Sequence, residues 1–283
     1  MKVDAHQHFW RLADRAGAWP PPELAAIHRD FGPDDLAPLL RESAIDATVL
    51  VQSLPSLDDT RRLLALASVT PWVHGVVGWV DMKSPDALDA IATLARDPLL
   101  KGLRPMLQDL DDDAWIADPA TAPAAEAMVR HRLVFDALVL PRQLPALQTF
   151  ATRHPALAIV IDHAAKPAIA RAELEPWRRD MAQLAALPNV HCKLSGLLTE
   201  AGERAQREAL QPYVQALWES FGPARLVWGS DWPVLRLAAG YADWLATSEA
   251  LLGAVTPPAT PAARAAVFGG NAVALYRLEG PPC

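Results

Sequence analysis

The sequence predicts an α/β fold, a single (β/α)₈ TIM-like barrel, on three observations. Eight short, β-branched apolar runs recur along the 283 residues, amphipathic helical patterns separate them, and no glycine-rich GxGxxG follows the first run. A parallel strand held between a barrel interior and a layer of helices is apolar on both faces, as these runs are. The absent glycine fingerprint argues against an open, dinucleotide-binding sheet.

Taken in order, the first strand is expected at 3–8, where VDAHQH follows the initial Met-Lys. A long connection, 10–31, leads to a first helix at 33–43, with Pro33 and Asp34 in its first turn and Pro38 as an inconsistency within it. The second strand, 47–52, is followed by a helix at 58–68 that Asp58 opens as a cap or first-turn acid. Strand three at 73–80 precedes a helix at 87–96, with Pro85 just ahead of it; strand four at 102–107 precedes a helix at 122–131 with Pro123 in its first turn. Strands at 133–139, 158–163 and 190–195 alternate with helices at 142–153, 175–187 and 205–221, and the eighth strand is expected at 225–231. The Ala/Pro-rich stretch 256–266 is the longest biased tract. The whole of 1–283 reads as one domain, and the 10–31 connection lies on the active-site face of such a barrel, where it is a candidate lid.

Composition bounds the function. A net charge of −7 without a Lys/Arg run interleaved with aromatics offers no nucleic-acid surface, and Asp4, His6 and His8 interrupt any apolar leader or membrane segment. Two cysteines, Cys192 and Cys283, suggest no disulfide framework, and a cytoplasmic protein is expected. Ten Trp against three Tyr, with Trp10, Trp19, Trp79, Trp115 and Trp232 near strand ends or in loops, suits walls around a flat-faced substrate.

Chemistry concentrates at three strand ends. His6 and His8, two apart on a strand, point to the same side; His163 closes the sixth strand and Asp231 the eighth. Barrel enzymes gather catalytic groups at the C-terminal ends of their strands, so three imidazoles and a carboxylate can share one divalent ion with room for water. Taken singly, His163 reads equally as a hydrogen-bonded core histidine and Asp231 as a helix cap. Arg104 offers a planar fork of donors to an oxygen-rich ligand, or a rim salt bridge. Gln52, Asp136, Lys193 and Ser195 lie near strand ends as candidate hydroxyl binders, with Trp10, Trp79, Trp115 and Trp232 as candidate apolar walls.

The segments DAHQHFW, VLVQS, GVVGW, GLRP, VIDHAAKP, CKLSGL, GSDWPV and GGNAVALY together resemble the amidohydrolase superfamily, in its branch of sugar and aromatic-acid lactonases, over residues 2 to about 278. The likeness is strongest to the L-fuconolactonase-like members, and the branch also holds 2-pyrone-4,6-dicarboxylate lactonase. The resemblance implies a distorted barrel with His6, His8, His163 and Asp231 as catalytic or metal-ligating residues. Two-metal members use a carboxylated lysine from strand four and a histidine from strand five; here Lys101 stands only at the start of strand four and 134–136 has no histidine. The resemblance therefore implies one divalent ion at most, zinc being the first choice, and leaves catalysis without a metal open.

Hydrolysis of a sugar-acid lactone by water that Asp231 activates is the expected reaction, with the histidines as metal ligands or as direct hydrogen-bond donors to the carbonyl. Two other reactions on the same residues are a metal-dependent decarboxylation of an aromatic or unsaturated acid and hydrolysis of a pyrone-type lactone. A sugar-acid binding protein without catalysis would not need the aspartate.

Overall fold

A computed structural model of the chain describes residues 1–15 and 17–278, so Cys283 lies outside the described residues. Eight strands, β1 (Val3–Gln7), β2 (Ala47–Val51), β3 (Val73–Gly78), β4 (Leu100–Leu103), β5 (Val134–Ala137), β6 (Ile159–Ile161), β7 (Val190–Leu194) and β8 (Leu226–Trp228), pair in parallel in sequence order. The barrel closes just beyond β8: Gln7 bridges Trp232, the Asp231 amide donates to the His6 carbonyl at 2.8 Å, and the His8 amide donates to the Trp232 carbonyl at 2.8 Å. Closure therefore sets the two histidines of β1 beside Asp231.

The helices are α1 (Pro33–Glu42), α2 (Leu57–Ser68), α3 (Ala87–Leu94), α4 (Ala122–Arg130), α5 (Leu144–Arg153), α6 (Trp177–Ala185), α7 (Arg207–Phe221), α8 (Tyr241–Gly253), α9 (Pro261–Ala265) and α10 (Asn271–Tyr276). Ser56 caps α2 by accepting from the amides of Asp58 and Asp59, which leaves Asp58 as the first-turn acid. Pro38 is accommodated inside α1. The Ala/Pro-rich tract supplies α9 and leads to α10, whose Ala272, Leu275 and Tyr276 pack with Val3, Val49, Val77, Val134, Val160 and Val227. This inner core is separate from the larger one between strands and helices.

All eight strands end earlier than expected, and in three the difference bears on the site. Strand four spans Leu100–Leu103 rather than 102–107, because Pro105 has no N–H with which to continue the ladder after Arg104 donates to the Gly78 carbonyl. β6 stops at Ile161 and β8 at Trp228, which puts His163 and Asp231 on the turns that follow. Both hold left-handed backbone, with φ of +51° and +59°, and Ala164, Ala165 and Lys166 continue in the same region. Such conformations cost about 1–3 kcal/mol each and gather where function over-determines the backbone.

One carboxylate fixes the junction of β1 and β8. Asp4 is fully buried and accepts from the Ser230 amide at 2.8 Å, the Ser230 hydroxyl at 2.6 Å, the Tyr241 hydroxyl at 2.9 Å and the His6 amide at 3.2 Å. Burial pushes its carboxyl up to about 6 in spite of these bonds. Asp4→Ala leaves several buried donors unpaired at about 1–3 kcal/mol apiece. Urea unfolding of that variant is expected to show a loss of about 3 kcal/mol, and a loss under ~1 kcal/mol would deny the junction its importance.

Candidate active site

At the C-terminal mouth of the barrel, three imidazoles converge on one carboxylate oxygen. Asp231 Oδ1 lies 3.2 Å from His8 Nε2, 3.7 Å from His6 Nε2 and 3.7 Å from His163 Nε2, and the two β1 imidazoles stand 3.2 Å apart at their Nε2 atoms. All four residues are buried. Glycines make this approach feasible. A Cβ on Gly229 would sit 2.7 Å from the His6 Cβ, and one on Gly196, at φ +66°, would sit 2.7 Å from the His163 Cβ and Cγ.

Each ring is oriented from behind. His8 Nδ1 donates to the Val51 carbonyl at 2.7 Å, His163 Nδ1 meets the Ser195 hydroxyl at 2.9 Å, and His6 Nδ1 faces Lys193 Nζ at 3.0 Å and Asp162 Oδ1 at 3.4 Å. Burial, reinforced by Lys193, lowers the His6 pKa well below the ordinary value; burial also lowers His8, and takes His163 down to about 4. Burial alone would raise Asp231, but the neighbouring His163, His8 and His6 hold its carboxyl far below the usual carboxylate range. The result is an ionised carboxylate among imidazoles that are neutral near pH 7.

This donor set can hold a divalent ion. His6, His163 and Asp231 each offer a ligand atom, all within 4.8 Å of one another, and His8 Nε2 adjoins them. An ion with bonds of about 2.0–2.1 Å to imidazole nitrogen needs donors roughly 3.3 Å apart in a tetrahedral arrangement, which the His6–His8 pair and the three separations from Asp231 Oδ1, 3.2 to 3.7 Å, approach. Lys101, on β4, packs its side chain near Gly75 and reaches the Arg277 carbonyl at 3.3 Å, so it does not enter this cluster.

A cavity of about 410 Å³ opens above the cluster. His8, His163, Asp231 and Arg104 line it, joined by Trp19 and Ser53, by Met106, Gln108, Asp109 and Leu138, by Lys166, Thr199 and Glu200, and by Val234 and Leu237. Arg104 is 2% exposed and donates to Asp162 Oδ2 at 3.2 Å and to the Gln52 carbonyl, while Gln52 Nε2 returns a bond to the Arg104 carbonyl at 2.7 Å. Gln52 thus holds Arg104 from behind instead of lining the wall.

Six further expected substrate contacts lie elsewhere. Asp136 and Lys193 are fully buried, 2.5 Å apart, inside the barrel behind His6. Trp10 and Trp232 pack with Phe31, and Trp10 donates its indole N–H to the Arg29 carbonyl. Half-buried Trp79 is outside the cavity lining. Trp115 likewise stands apart, under the Lys83 ammonium. From the 10–31 connection, whose ends are tied by the Trp10–Phe31 bridge, it is Trp19 that reaches the cavity. Of the wall residues missed in sequence, Lys166 stands inside VIDHAAKP and Glu200 three residues after CKLSGL, so nearness to those segments was the available signal.

A closed eight-stranded parallel barrel that gathers His-X-His, a further histidine and an aspartate at the C-terminal mouth defines a hydrolase-type barrel. The chain belongs to the amidohydrolase family, whose model matches residues 3–278. Among its relatives, a protein named L-fucono-1,5-lactonase from Burkholderia ambifaria is 58% identical over 284 aligned positions, covering 99% of this chain and 97% of that protein. A second L-fucono-1,5-lactonase, from Burkholderia multivorans, is 38% identical with 99% and 97% coverage. The crystal structure of a Burkholderia multivorans amidohydrolase with bound zinc superposes with a TM-score of 0.90 at 37% identity, covering 99% of this chain and all of that one.

Proposed function

We propose that this protein hydrolyses L-fucono-1,5-lactone, or a sugar-acid lactone close to it, to the open-chain aldonic acid. The observation that carries the substrate class is the 58% identity along nearly the whole chain to a protein of that name. The cavity agrees: about 410 Å³ suits one small molecule. Its lining carries three carboxylates, Asp109, Glu200 and Asp231, against two cations, and both cations are paired, Arg104 with Asp162 and Lys166 with Glu200 at 3.7 Å. A neutral polyhydroxylated ring fits this wall better than a dicarboxylated pyrone or an aromatic carboxylate.

In the proposed reaction, Asp231 accepts a proton from the attacking water, the oxygen adds to the ester carbonyl, and collapse of the tetrahedral adduct breaks the bond to the ring oxygen. Asp231 then returns the proton to the leaving alkoxide. Arg104 orients oxygens of the ring, and His8 and His163 flank the carboxylate at 3.2 and 3.7 Å. His6, His8, His163 and Asp231 would hold a single divalent ion, zinc by analogy with the related crystal structure, and such an ion supplies polarisation of the carbonyl. His6 and His163 are otherwise available to donate from Nε2–H to the same oxygen, the His8 hydrogen being held on Nδ1 by the Val51 carbonyl.

The pH dependence follows from the neutral imidazoles. Because burial takes His163 down to about 4 and Asp231 stays ionised below that, kcat/KM is expected to be level from about pH 5 to 8. Its acid limb should lie near 4, where His163 charges, and a pH-stat profile breaking near the ordinary histidine value of about 6.5 would count against it. The substrate is tested by proton release from a panel of hexono- and pentono-lactones beside pyrone and aromatic carboxylates. Turnover of L-fucono-1,5-lactone is the expected result; carbon dioxide release from a carboxylate with no lactone turnover would overturn the proposal.

A further inference from the structure

We propose that Lys193 is a positioning residue that holds His6 in the tautomer carrying its hydrogen on Nε2, and thereby opposes metal binding at the barrel mouth. Lys193 is fully buried and its ammonium has three hydrogens and no acceptor. Two acceptors meet it in hydrogen-bond geometry, Asp136 Oδ2 at 2.5 Å and His6 Nδ1 at 3.0 Å, and Asp162 Oδ1 stands at 3.0 Å as an ion-pair contact without a hydrogen bond. The bond to His6 forms only if His6 Nδ1 presents a lone pair.

The opposite edge of the ring leads to the same tautomer. Val51 offers His8 Nδ1 only a carbonyl oxygen, at 2.7 Å, so that nitrogen carries the hydrogen and His8 Nε2 is an acceptor. His6 Nε2 stands 3.2 Å from it, a contact that needs a hydrogen on His6. With Nε2–H on His6, both contacts become hydrogen bonds. The alternative, Nδ1–H, would use the longer contacts: Nδ1–H to Asp162 Oδ1 at 3.4 Å and Nε2 accepting from Arg104 Nη1, also at 3.4 Å. It would also set the Nε2 lone pairs of His6 and His8 together at 3.2 Å and a hydrogen against the Lys193 ammonium at 3.0 Å, whereas the approach of bare His8 Nε2 to Asp231 Oδ1 at 3.2 Å is the same in both tautomers of His6.

Only the Nδ1–H tautomer frees Nε2 to ligate an ion, since the hydrogen bond at one ring nitrogen decides what the other does. Asp162 and Lys193 are thus rival partners of one nitrogen: Asp162 favours the metal-ligating ring and Lys193 the hydrogen-bond-donating ring. A metal entering the site must break the hydrogen bond that Lys193 donates to His6 Nδ1. This concerns the protein's own histidines and holds whichever ester the cavity takes.

The test uses the full chain, stripped of metal and labelled with ¹⁵N in its histidines, with the His6 signals assigned against His6→Asn. Wild-type His6 is expected to show a protonated Nε2 and a bare Nδ1. In Lys193→Met/Asp136→Asn, which removes opposite charges together, the hydrogen should move to Nδ1. Zinc ion, measured by competition with a chromogenic chelator, should then bind about tenfold more tightly than to wild type, the lower end of what partners of metal-ligating histidines typically contribute. A wild-type His6 protonated on Nδ1, or a folded double variant that binds zinc no more tightly, overturns the inference. If the double variant does not fold, the wild-type ring signals decide alone.

Discussion

Asp231→Asn is expected to lower kcat for lactone hydrolysis by about 10³-fold while leaving the fold intact, within the 10²–10⁴ that a positioned proton-transfer group contributes. The amide keeps the size of the carboxylate, and the backbone N–H of this residue still closes the barrel on the His6 carbonyl. What it loses is the capacity to take a proton from water and return it to the ring oxygen. KM should change much less than kcat, because the loss falls on the transition state. Steady-state kinetics beside a thermal melt measure both, and a folded variant within tenfold of wild type would remove Asp231 from the reaction.

The second large effect is one of stability. Lys193→Met leaves Asp136 and Asp162 buried behind His6 without their shared cation, although Tyr276 still donates to Asp136 at 2.7 Å and Arg104 to Asp162 at 3.2 Å. Burial pushes Asp136 up to about 6 even beside the lysine, while Lys193, His6 and Arg104 together overcome burial and hold Asp162 well below the usual range. Breaking such a pair from one side costs about 3–5 kcal/mol. Urea or guanidinium unfolding should register that loss for Lys193→Met and a smaller one when Asp136→Asn is added. Equal losses in the two variants would mean that packing of the methylene stem, not charge pairing, is what Lys193 contributes.

The barrel and its four central residues were legible in the sequence for a physical reason. Parallel strands buried on both faces leave uniform apolar runs, and the polar residue that ends such a run stands out as His8, His163 and Asp231 do. Depth was not legible. One residue of strand advances about 3.3 Å, which separates a group at the mouth from one in the interior, so Asp136 and Lys193 read as sugar contacts when they pair behind His6. Pairing with distant segments was also hidden. Trp10 and Trp232 are claimed by Phe31 at ring-centroid distances of 5.4 and 5.2 Å, and Arg104 and Gln52 hold each other. Lys166 and Glu200 come to the wall through turns, including the left-handed run from His163 to Lys166, that no periodicity announces.

The reading as a whole rests on the cavity above Asp231 being a lactone site, and ¹H NMR of L-fucono-1,5-lactone with wild-type protein and Asp231→Asn in parallel tests it most directly. The account predicts rapid, enzyme-dependent conversion of the ring signals to those of the free aldonic acid, with the variant close to the uncatalysed rate. Ring opening no faster than in buffer alone, or equally fast with both proteins, would contradict it.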